Sequence, residues 1–430
     1  MIFSKWIGIA RIRFIDLLRG TRIYGILQLL RKHQYLSKNA LNEYRQKKFQ
    51  ELIERAKLST KYYAAYNSYK KLPVLTKQVI RENFEDFRSR NYKKKLYKKG
   101  TGGSTGKPLI YYTTAEAQSY MWAGILLSWE AAGYNLGDKV AFIAGTSLLK
   151  SSWQHKIFYL LLNVKIYSAF TLNDEYIAEY LEDIRKNKIR IIYAYASALD
   201  MIATYIHQTE PIEFPYLKGI VSSAEVLTES MRKNIESAFK TKVFNQYGCN
   251  EAGVSAFECE HQSMHLISSR CYYESDDNDR LLSTDLSNKG FIMMKYDTGD
   301  IVEFSNENCS CKRSYPVIKN VIGRCNDTII DVAQKVTHAA FFQILFRSDE
   351  TIRQYQVVFD SKCIQINLCV DDSKDYRQYN KYMEIIKEHL LFNKYDLVFT
   401  NNFSTSENGK HKHIIDNRSY FSNMKANNAV

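Results

Sequence analysis

The segment Thr101-Gly-Gly-Ser-Thr-Gly-Lys-Pro108 puts three glycines, three hydroxyl residues and a lysine into eight positions, in a chain with 18 glycines among 430 residues. Glycines let backbone N–H groups come close to a phosphate, and Ser and Thr hydroxyls add donors for its oxygens. A Walker P-loop is excluded. That motif needs Gly five positions before Gly106, where Thr101 stands, and Ser or Thr after the lysine, where Pro108 stands. A plain solvent-exposed turn is the competing reading of this segment alone.

Four further strings follow in order. Tyr247-Gly-Cys-Asn-Glu-Ala-Gly253 comes after an expected strand, Lys242–Asn245, and Tyr296-Asp-Thr-Gly-Asp300 is expected to close another. Ile322-Gly-Arg-Cys-Asn-Asp327 sits where one domain should give way to the next, and Glu407-Asn-Gly-Lys410 lies near the C-terminus. Each string alone could be a simple turn. Separately, Cys259-x5-His265 and Cys309-x-Cys311 offer three sulfurs and an imidazole, the ligand set of a closed tetrahedral zinc site. The C-x-C pair is tighter than usual, and free cysteines beside a surface histidine are the alternative. His261 could replace His265 as a ligand. Four protein ligands leave no open position, so such a metal would be structural.

These residues need a scaffold. Lys139–Gly145, Ile189–Ala194 and Lys218–Ala224 read as buried strands. Asp174–Lys188 and Thr228–Lys240 have helical spacing, the latter starting at Thr228 as N-cap. Strands alternating with helices predict an α/β sheet. Residues 1–95 read as mainly helical, and the chain beyond 255 as short segments and turns. After Gly323 a helix at His338–Arg347, strands Gln354–Phe359 and Cys363–Val370, and a helix at Asp375–Leu391 predict a small α+β unit. Trp122, Phe142 and Tyr195 are candidates to line a substrate pocket.

Composition narrows the partners. Lys and Arg total 60 against 46 Asp and Glu, a net charge of +14, which favours anionic partners such as nucleotides, coenzyme A or a membrane face. No nucleic-acid-reading motif is present, so no nucleic-acid partner is expected. In Met1–His33, Arg11 and Arg13 interrupt the apolar runs, which excludes a signal peptide and a spanning helix. A basic amphipathic helix of this kind either packs on its own domain or lies on an anionic surface. The expected location is cytoplasmic, with the inner membrane face as a peripheral site. Eight unevenly spaced cysteines in such a chain do not predict disulfides.

In this order and at these separations the motifs resemble the adenylate-forming superfamily of acyl-CoA synthetases, adenylation domains and luciferases. The likeness is greatest to the phenylacetate–CoA ligase branch with its capsular-polysaccharide (CapK-like) relatives. Leu72-Pro-Val-Leu-Thr-Lys77 and Ser222-Ser-Ala-Glu225 add to it, and it spans about residues 40 to 415. The resemblance implies a large N-terminal domain, 1–322, of β-sheets flanked by helices. It also implies a small mobile α+β domain, 323–430, hinged near Asn326. A carboxylic acid would attack the α-phosphate of ATP to give an acyl- or aryl-adenylate. Coenzyme A, or an amine or hydroxyl acceptor in surface-polysaccharide synthesis, would then take the acyl group. By the same resemblance Thr101, Gly102, Gly103, Ser104, Thr105, Gly106 and Lys107 grip the β- and γ-phosphates. Tyr247 stacks on adenine beside Ser223, Ala224 and Glu225, with Gly248 and Asn250 in the same nucleotide-binding set. Glu251 holds Mg²⁺, Asp300 binds ribose hydroxyls with help from Arg324, and Lys410 is the catalytic lysine. The branch also implies a structural zinc in the region of Cys259, His265, Cys309 and Cys311. Four departures from the family pattern are Asn250 for Thr or Ser, Leu109 for Lys, Asn326 for Asp and Ala333 for Gly. They leave a degenerate, non-catalytic nucleotide-binding protein as a third reading.

Overall fold

The computed structural model describes residues 2–101, 109–144, 153–169, 172–277, 279–324, 328–333, 335–338, 340–346, 349, 351–370, 375–405 and 411–418. The N-terminal region is helical: α1 (Ile2–Arg19), α2 (Ile23–His33) and α3 (Lys38–Ser59), then the short α4 (Lys61–Ala64) and α5 (Lys77–Glu82). Ile23, Leu27 and Leu30 of α2 recur at helical spacing and are fully buried. Each contributes roughly 1.5–3 kcal/mol by leaving water. Ser37 starts α3 by accepting a hydrogen bond from the backbone N–H of Ala40, which satisfies one of the unpaired donors of the first turn.

A hairpin of β1 (Tyr97–Gly100) and β2 (Ile110–Thr113) follows. α6 (Ala115–Ala131) is apolar on nearly every side and is buried between α2 and the central sheet, as expected for a helix without a polar face.

The central sheet is built from β3 (Val140–Ala144), β4 (Val164–Ser168), β5 (Ile191–Ala194), β6 (Gly219–Ser223), β7 (Val243–Cys249), β8 (Val254–Glu258), β9 (Met264–Leu266), β10 (Cys271–Ser275), β11 (Arg280–Asp285), β12 (Tyr296–Phe304) and β13 (Val317–Arg324). Among the described residues the order is β10-β11-β12-β13-β9-β8-β7-β6-β5-β3-β4. Strands β4, β3, β5, β6 and β7 run parallel, and β8 onward pair antiparallel. The parallel strands are short apolar runs because helices cover both faces. Helices Asp174–Lys186 and Glu229–Phe239 lie at the expected positions, and Thr228 caps the second through the Met231 N–H.

The expected end of a strand at Tyr296–Asp300 is corrected. These residues begin β12. The Gly299 N–H bonds the Asp297 carboxylate and Gly299 takes φ +76°, while the register shifts between Asp300 and Val302. The string therefore twists the strand locally without stopping it.

After the short pair β14 (Thr328–Ile330) and β15 (Val336–His338), a second sheet forms from β16 (Ile352–Phe359), β17 (Cys363–Val370), β18 (Lys394–Phe399) and β19 (Ile414–Asp416), in the order β18-β17-β16-β19. It has its own core, centred on Phe342, Val357, Ile366 and Ile386. The helix expected at 338–347 is Ala340–Phe346, because His338 pairs with Thr328 in β15. That expected at 375–391 opens as a 3₁₀ turn, Tyr376–Tyr379, before the α-helix Asn380–His389.

One close approach locks the helical layer to the sheet. A Cβ on Gly219 at the start of β6 would lie 2.3 Å from the carbonyl oxygen of Ala132, just past α6. Gly219→Ala should destabilise the chain by about 1–3 kcal/mol through overpacking, seen as an earlier urea unfolding midpoint. An unchanged midpoint would show that this contact relaxes freely.

Candidate active site

The carboxyl ends of parallel strands are where an open α/β sheet leaves a crevice. Here β5, β6 and β7 end at Ala194, Ser223 and Cys249. Just beyond β6, Ala224 takes φ +70°, a left-handed conformation that costs a non-glycine residue about 1–2 kcal/mol. That turn aims the Glu225 carboxylate in two directions. One oxygen accepts the backbone N–H of Ser197 at 2.9 Å, in the first turn of helix Ala196–Gln208, where the helix dipole favours a negative charge. The other accepts the backbone N–H of His411 at 3.1 Å.

His411 is itself fixed. Its Nδ1 lies 2.8 Å from the Gln354 amide nitrogen and its Nε2 2.8 Å from the Tyr355 carbonyl oxygen. The partners assign Nδ1 as acceptor and Nε2–H as donor, which is the neutral imidazole. Burial lowers its pKa, in keeping with that assignment. Lys410 precedes His411 directly and lies outside the described residues.

Tyr247 on β7 donates its hydroxyl to Asp300 on β12 at 2.6 Å. Burial, then the Asp300 charge, pushes the phenol well above its ordinary pKa, so it stays a donor. Asp300 is buried and faces Arg324 in the β12–β13 register; the Arg324 side chain lies outside the described residues. After β7 the chain turns through a 3₁₀ helix, Asn250–Ala252, that carries Glu251 and ends at Gly253 with φ +72°. Glu251 sits near Tyr111 of β2, whose phenol is raised first by burial and then by the Glu251 charge.

Residues Gly102–Pro108 also lie outside the described residues, but the neck of their loop is closed. The Thr101 N–H bonds the Leu109 carbonyl at 2.9 Å, and the Leu109 N–H bonds the Thr101 hydroxyl at 3.0 Å. The loop therefore leaves from the tip of the β1–β2 hairpin.

Ser223, Ala224, Glu225, Tyr247, Gly248, Asn250, Asp300 and His411 line one cavity of about 1040 Å³. Glu251 stands beside it on the Asn250–Ala252 turn. The candidate pocket aromatics lie elsewhere: Trp122 packs on Phe158 with ring centroids 4.8 Å apart, Phe142 packs on Tyr193 at 4.6 Å, and Tyr195 precedes helix Ala196–Gln208. The wall is instead made by Met121 and Ile125 of α6 and by Tyr193 of β5. Met121 and Ile125 are spaced i, i+4, but in a helix apolar on all sides that spacing does not reveal which stripe meets the cavity.

A second cluster gathers four donor atoms of the kind that ligate a metal ion. The donor atoms of Cys259, His265, Cys309 and Cys311 all lie within 4.8 Å of one another. Cys259 Sγ is 3.6 Å from Cys309 Sγ, and Cys311 Sγ is 3.2 Å from His265 Nε2. His265 Nδ1 lies 3.1 Å from the Tyr315 carbonyl oxygen, a bond that leaves Nε2 free to ligate. His261 reaches the cluster through its backbone N–H, 3.4 Å from Cys259 Sγ. It is His265 that completes the four donors. The loop holding Cys309 and Cys311 is tied to the end of α2, where the Ser314 N–H bonds the Gln34 carbonyl at 2.7 Å and Arg313 Nε bonds the Gln34 side chain at 2.9 Å.

No family model matches the chain. Protein CapK of Staphylococcus aureus is similar to it, 27% identical over 401 residues that cover 90% of this chain and 87% of CapK. Phenylacetate-coenzyme A ligase of Thermus thermophilus is 28% identical over 158 residues, 33% of this chain and 35% of that ligase. Among solved structures, 2-hydroxyisobutyryl-CoA ligase in its postadenylation state shares the fold with a TM-score of 0.69 at 17% identity, covering 92% of this chain and 94% of that one. Against the same ligase in its thioesterification state the TM-score is 0.57.

The turn that carries Glu251 has little freedom. A Cβ on Gly253 would sit 2.6 Å from the Asp285 side chain and would also force a residue to φ +72°. Gly253→Ala should lower stability by about 1–3 kcal/mol. Gly248→Ala, where a Cβ meets only the Val254 carbonyl oxygen at 3.3 Å, should change it by less than about 0.5 kcal/mol. Urea titrations giving equal losses would refute this reading of the turn.

Proposed function

We propose that this chain, similar to CapK along 90% of its length, is an adenylate-forming ligase that activates a carboxylic acid with ATP and Mg²⁺ and then forms a CoA thioester. A carboxylate oxygen attacks the α-phosphorus, the bond to the β-phosphate breaks, and acyl-AMP and pyrophosphate result. The thiol of coenzyme A then attacks the acyl carbon and AMP leaves. In such a reaction the protein mainly positions and neutralises charge.

The observation that carries this reading is the convergence on one cavity. The Ser223–Glu225 turn, the Tyr247–Asn250 segment, Asp300 and the His411 end of the C-terminal segment all meet there. In this reading the Thr101–Lys107 loop holds the β- and γ-phosphates and Tyr247 lies against the adenine. Asp300, with Arg324, binds the ribose. Glu251 would supply a hard carboxylate oxygen to Mg²⁺, whose charge offsets that of the phosphates. Lys410 reaches the α-phosphate and carboxylate oxygens. Residues 323–430 act as a small domain pivoting near Asn326 between the two half-reactions.

Acid-dependent exchange of pyrophosphate into ATP should be measurable in a screen of aromatic, short-chain and hydroxy acids. Lys410→Ala should reduce it by about 100-fold or more. Undiminished exchange in that variant would reject the mechanism, and no exchange with any acid would favour a degenerate nucleotide-binding protein. A product that forms without coenzyme A but requires an amine or hydroxyl acceptor would move the second step to the polysaccharide reading. Glu225→Gln keeps one acceptor oxygen and turns an NH₂ toward the other backbone N–H, so one of the two hydrogen bonds is lost and adenylation should slow by about 10-fold, with the thermal midpoint little changed.

The Cys259, His265, Cys309 and Cys311 cluster fits one structural Zn²⁺. Three thiolates and an oriented imidazole give a closed tetrahedral set, and the ion would tie β8 and β9 to the loop that docks on α2. Elemental analysis should find about one zinc per chain. Cys309→Ser with Cys311→Ser should abolish it and lower the thermal midpoint, and full stability without metal would argue against a structural ion.

A further inference from the structure

α1 carries two apolar faces, and its own domain uses only one. Gly8, Ile12 and Ile15 are buried, and the helix is pressed so close that a Cβ on Gly8 would lie 2.3 Å from the Leu136 backbone. On the opposite side Trp6 (66% exposed), Phe14, Leu17 (78%) and Leu18 point into solvent. Packing on the domain therefore accounts for half of this helix and leaves a second stripe of large apolar side chains bare, which a soluble surface ordinarily avoids.

The neighbouring helix Trp153–Leu161 repeats the pattern. Phe158 and Tyr159 are buried, while Trp153 (69%), Ile157 and Leu160 (73%) are exposed. Arg19 joins these elements to the β1–β2 hairpin. Its guanidinium lies 4.4 Å from the centre of the Phe158 ring, and its carbonyl oxygen is 3.4 Å from the Tyr97 hydroxyl.

The charge on this face has one sign. Arg13, Lys156, Lys93, Lys94, Lys95 and Lys98 are exposed around it. Residues 93–100 and Ile110–Thr113, which hold the hairpin and its approach, and the Trp153–Leu161 helix contain no Asp or Glu, and α1 contains only Asp16. That carboxylate is already engaged by the Thr21 hydroxyl at 2.7 Å and by the backbone N–H groups of Ile23 and Tyr24. No described helix is long and apolar enough to cross a membrane. Protruding Trp, Phe and Leu ringed by Lys and Arg are the features of a surface that lies in a lipid interface, its apolar side chains among the acyl chains and its cations at anionic headgroups.

We infer that the face formed by α1, the Trp153–Leu161 helix and the β1–β2 hairpin docks on the surface of an anionic lipid bilayer. The inference does not depend on the acid-ligase reading.

The full chain should co-sediment with vesicles of phosphatidylcholine containing phosphatidylglycerol and much less with phosphatidylcholine alone. Added salt should weaken the binding, and Trp emission should shift to the blue on the anionic vesicles. Leu17→Ser with Leu160→Ser should lower the partition coefficient about 10-fold or more. Lys93→Gln with Lys94→Gln and Lys95→Gln should lower it by about as much and flatten the salt dependence. An unchanged thermal midpoint in both variants shows that they are folded. Failure to bind anionic vesicles, equal binding to both vesicle types, or binding undiminished in the leucine variant would each overturn the proposal. So would a lipid-free dimer that the leucine variant converts to monomer, because a second copy would then cover this face.

Discussion

Glu225 joins three stretches of chain that are far apart in sequence. Its carboxylate leaves β6 through a left-handed turn and accepts one N–H from the start of a helix after β5 and another from His411. A charged acceptor shared by two backbone donors is strong and directional, so the C-terminal segment is held against the carboxyl ends of the parallel strands. The Thr228 hydroxyl to the Arg353 carbonyl and the Arg353 guanidinium to the Thr204 hydroxyl add contacts across the same seam. A few polar contacts of this kind exchange with water at low net cost, as the proposed pivot of residues 323–430 would require.

The antiparallel half of the sheet is bound to the parallel half by a different interaction. Tyr247 and Asp300 stand on strands 53 positions apart in sequence, and their hydrogen bond closes the far wall of the cavity. Farther along, the Cys259, His265, Cys309 and Cys311 cluster and the loop that packs on Gln34 fasten that half to the N-terminal helices. The same helices present α1 outward. The sulfur–imidazole cluster, the cavity and the basic apolar face are therefore parts of one connected scaffold.

Much of this architecture was legible in local chemistry. Buried strands read as apolar runs because helices cover both faces of the parallel sheet, and Thr228 announced its helix because a hydroxyl there can satisfy a first-turn N–H. The Tyr296–Asp300 string misled as the end of a strand, since Gly and Asp commonly mark turns and here serve a local twist inside β12. The cavity aromatics misled for another reason. Trp122, Phe142 and Tyr195 are the right residue types, but whether a large side chain meets a cavity or a core depends on which stripe of an all-apolar element faces inward, and hydrophobicity alone does not encode it.

The sequence by itself determined the residue types and the order of the motifs, because phosphate cradles, sulfur–imidazole donor sets and capped helices depend on chemistry within a few positions. The pairing of Tyr247 with Asp300, the double acceptance by Glu225 and the completion of the sulfur–imidazole cluster by His265 were decided only by tertiary structure. Each joins groups tens to hundreds of residues apart, whose approach follows from sheet order and close packing. The two apolar faces of α1 illustrate the same division: the residues are plain in the sequence, but only packing against Leu136 decides which face is left for another surface.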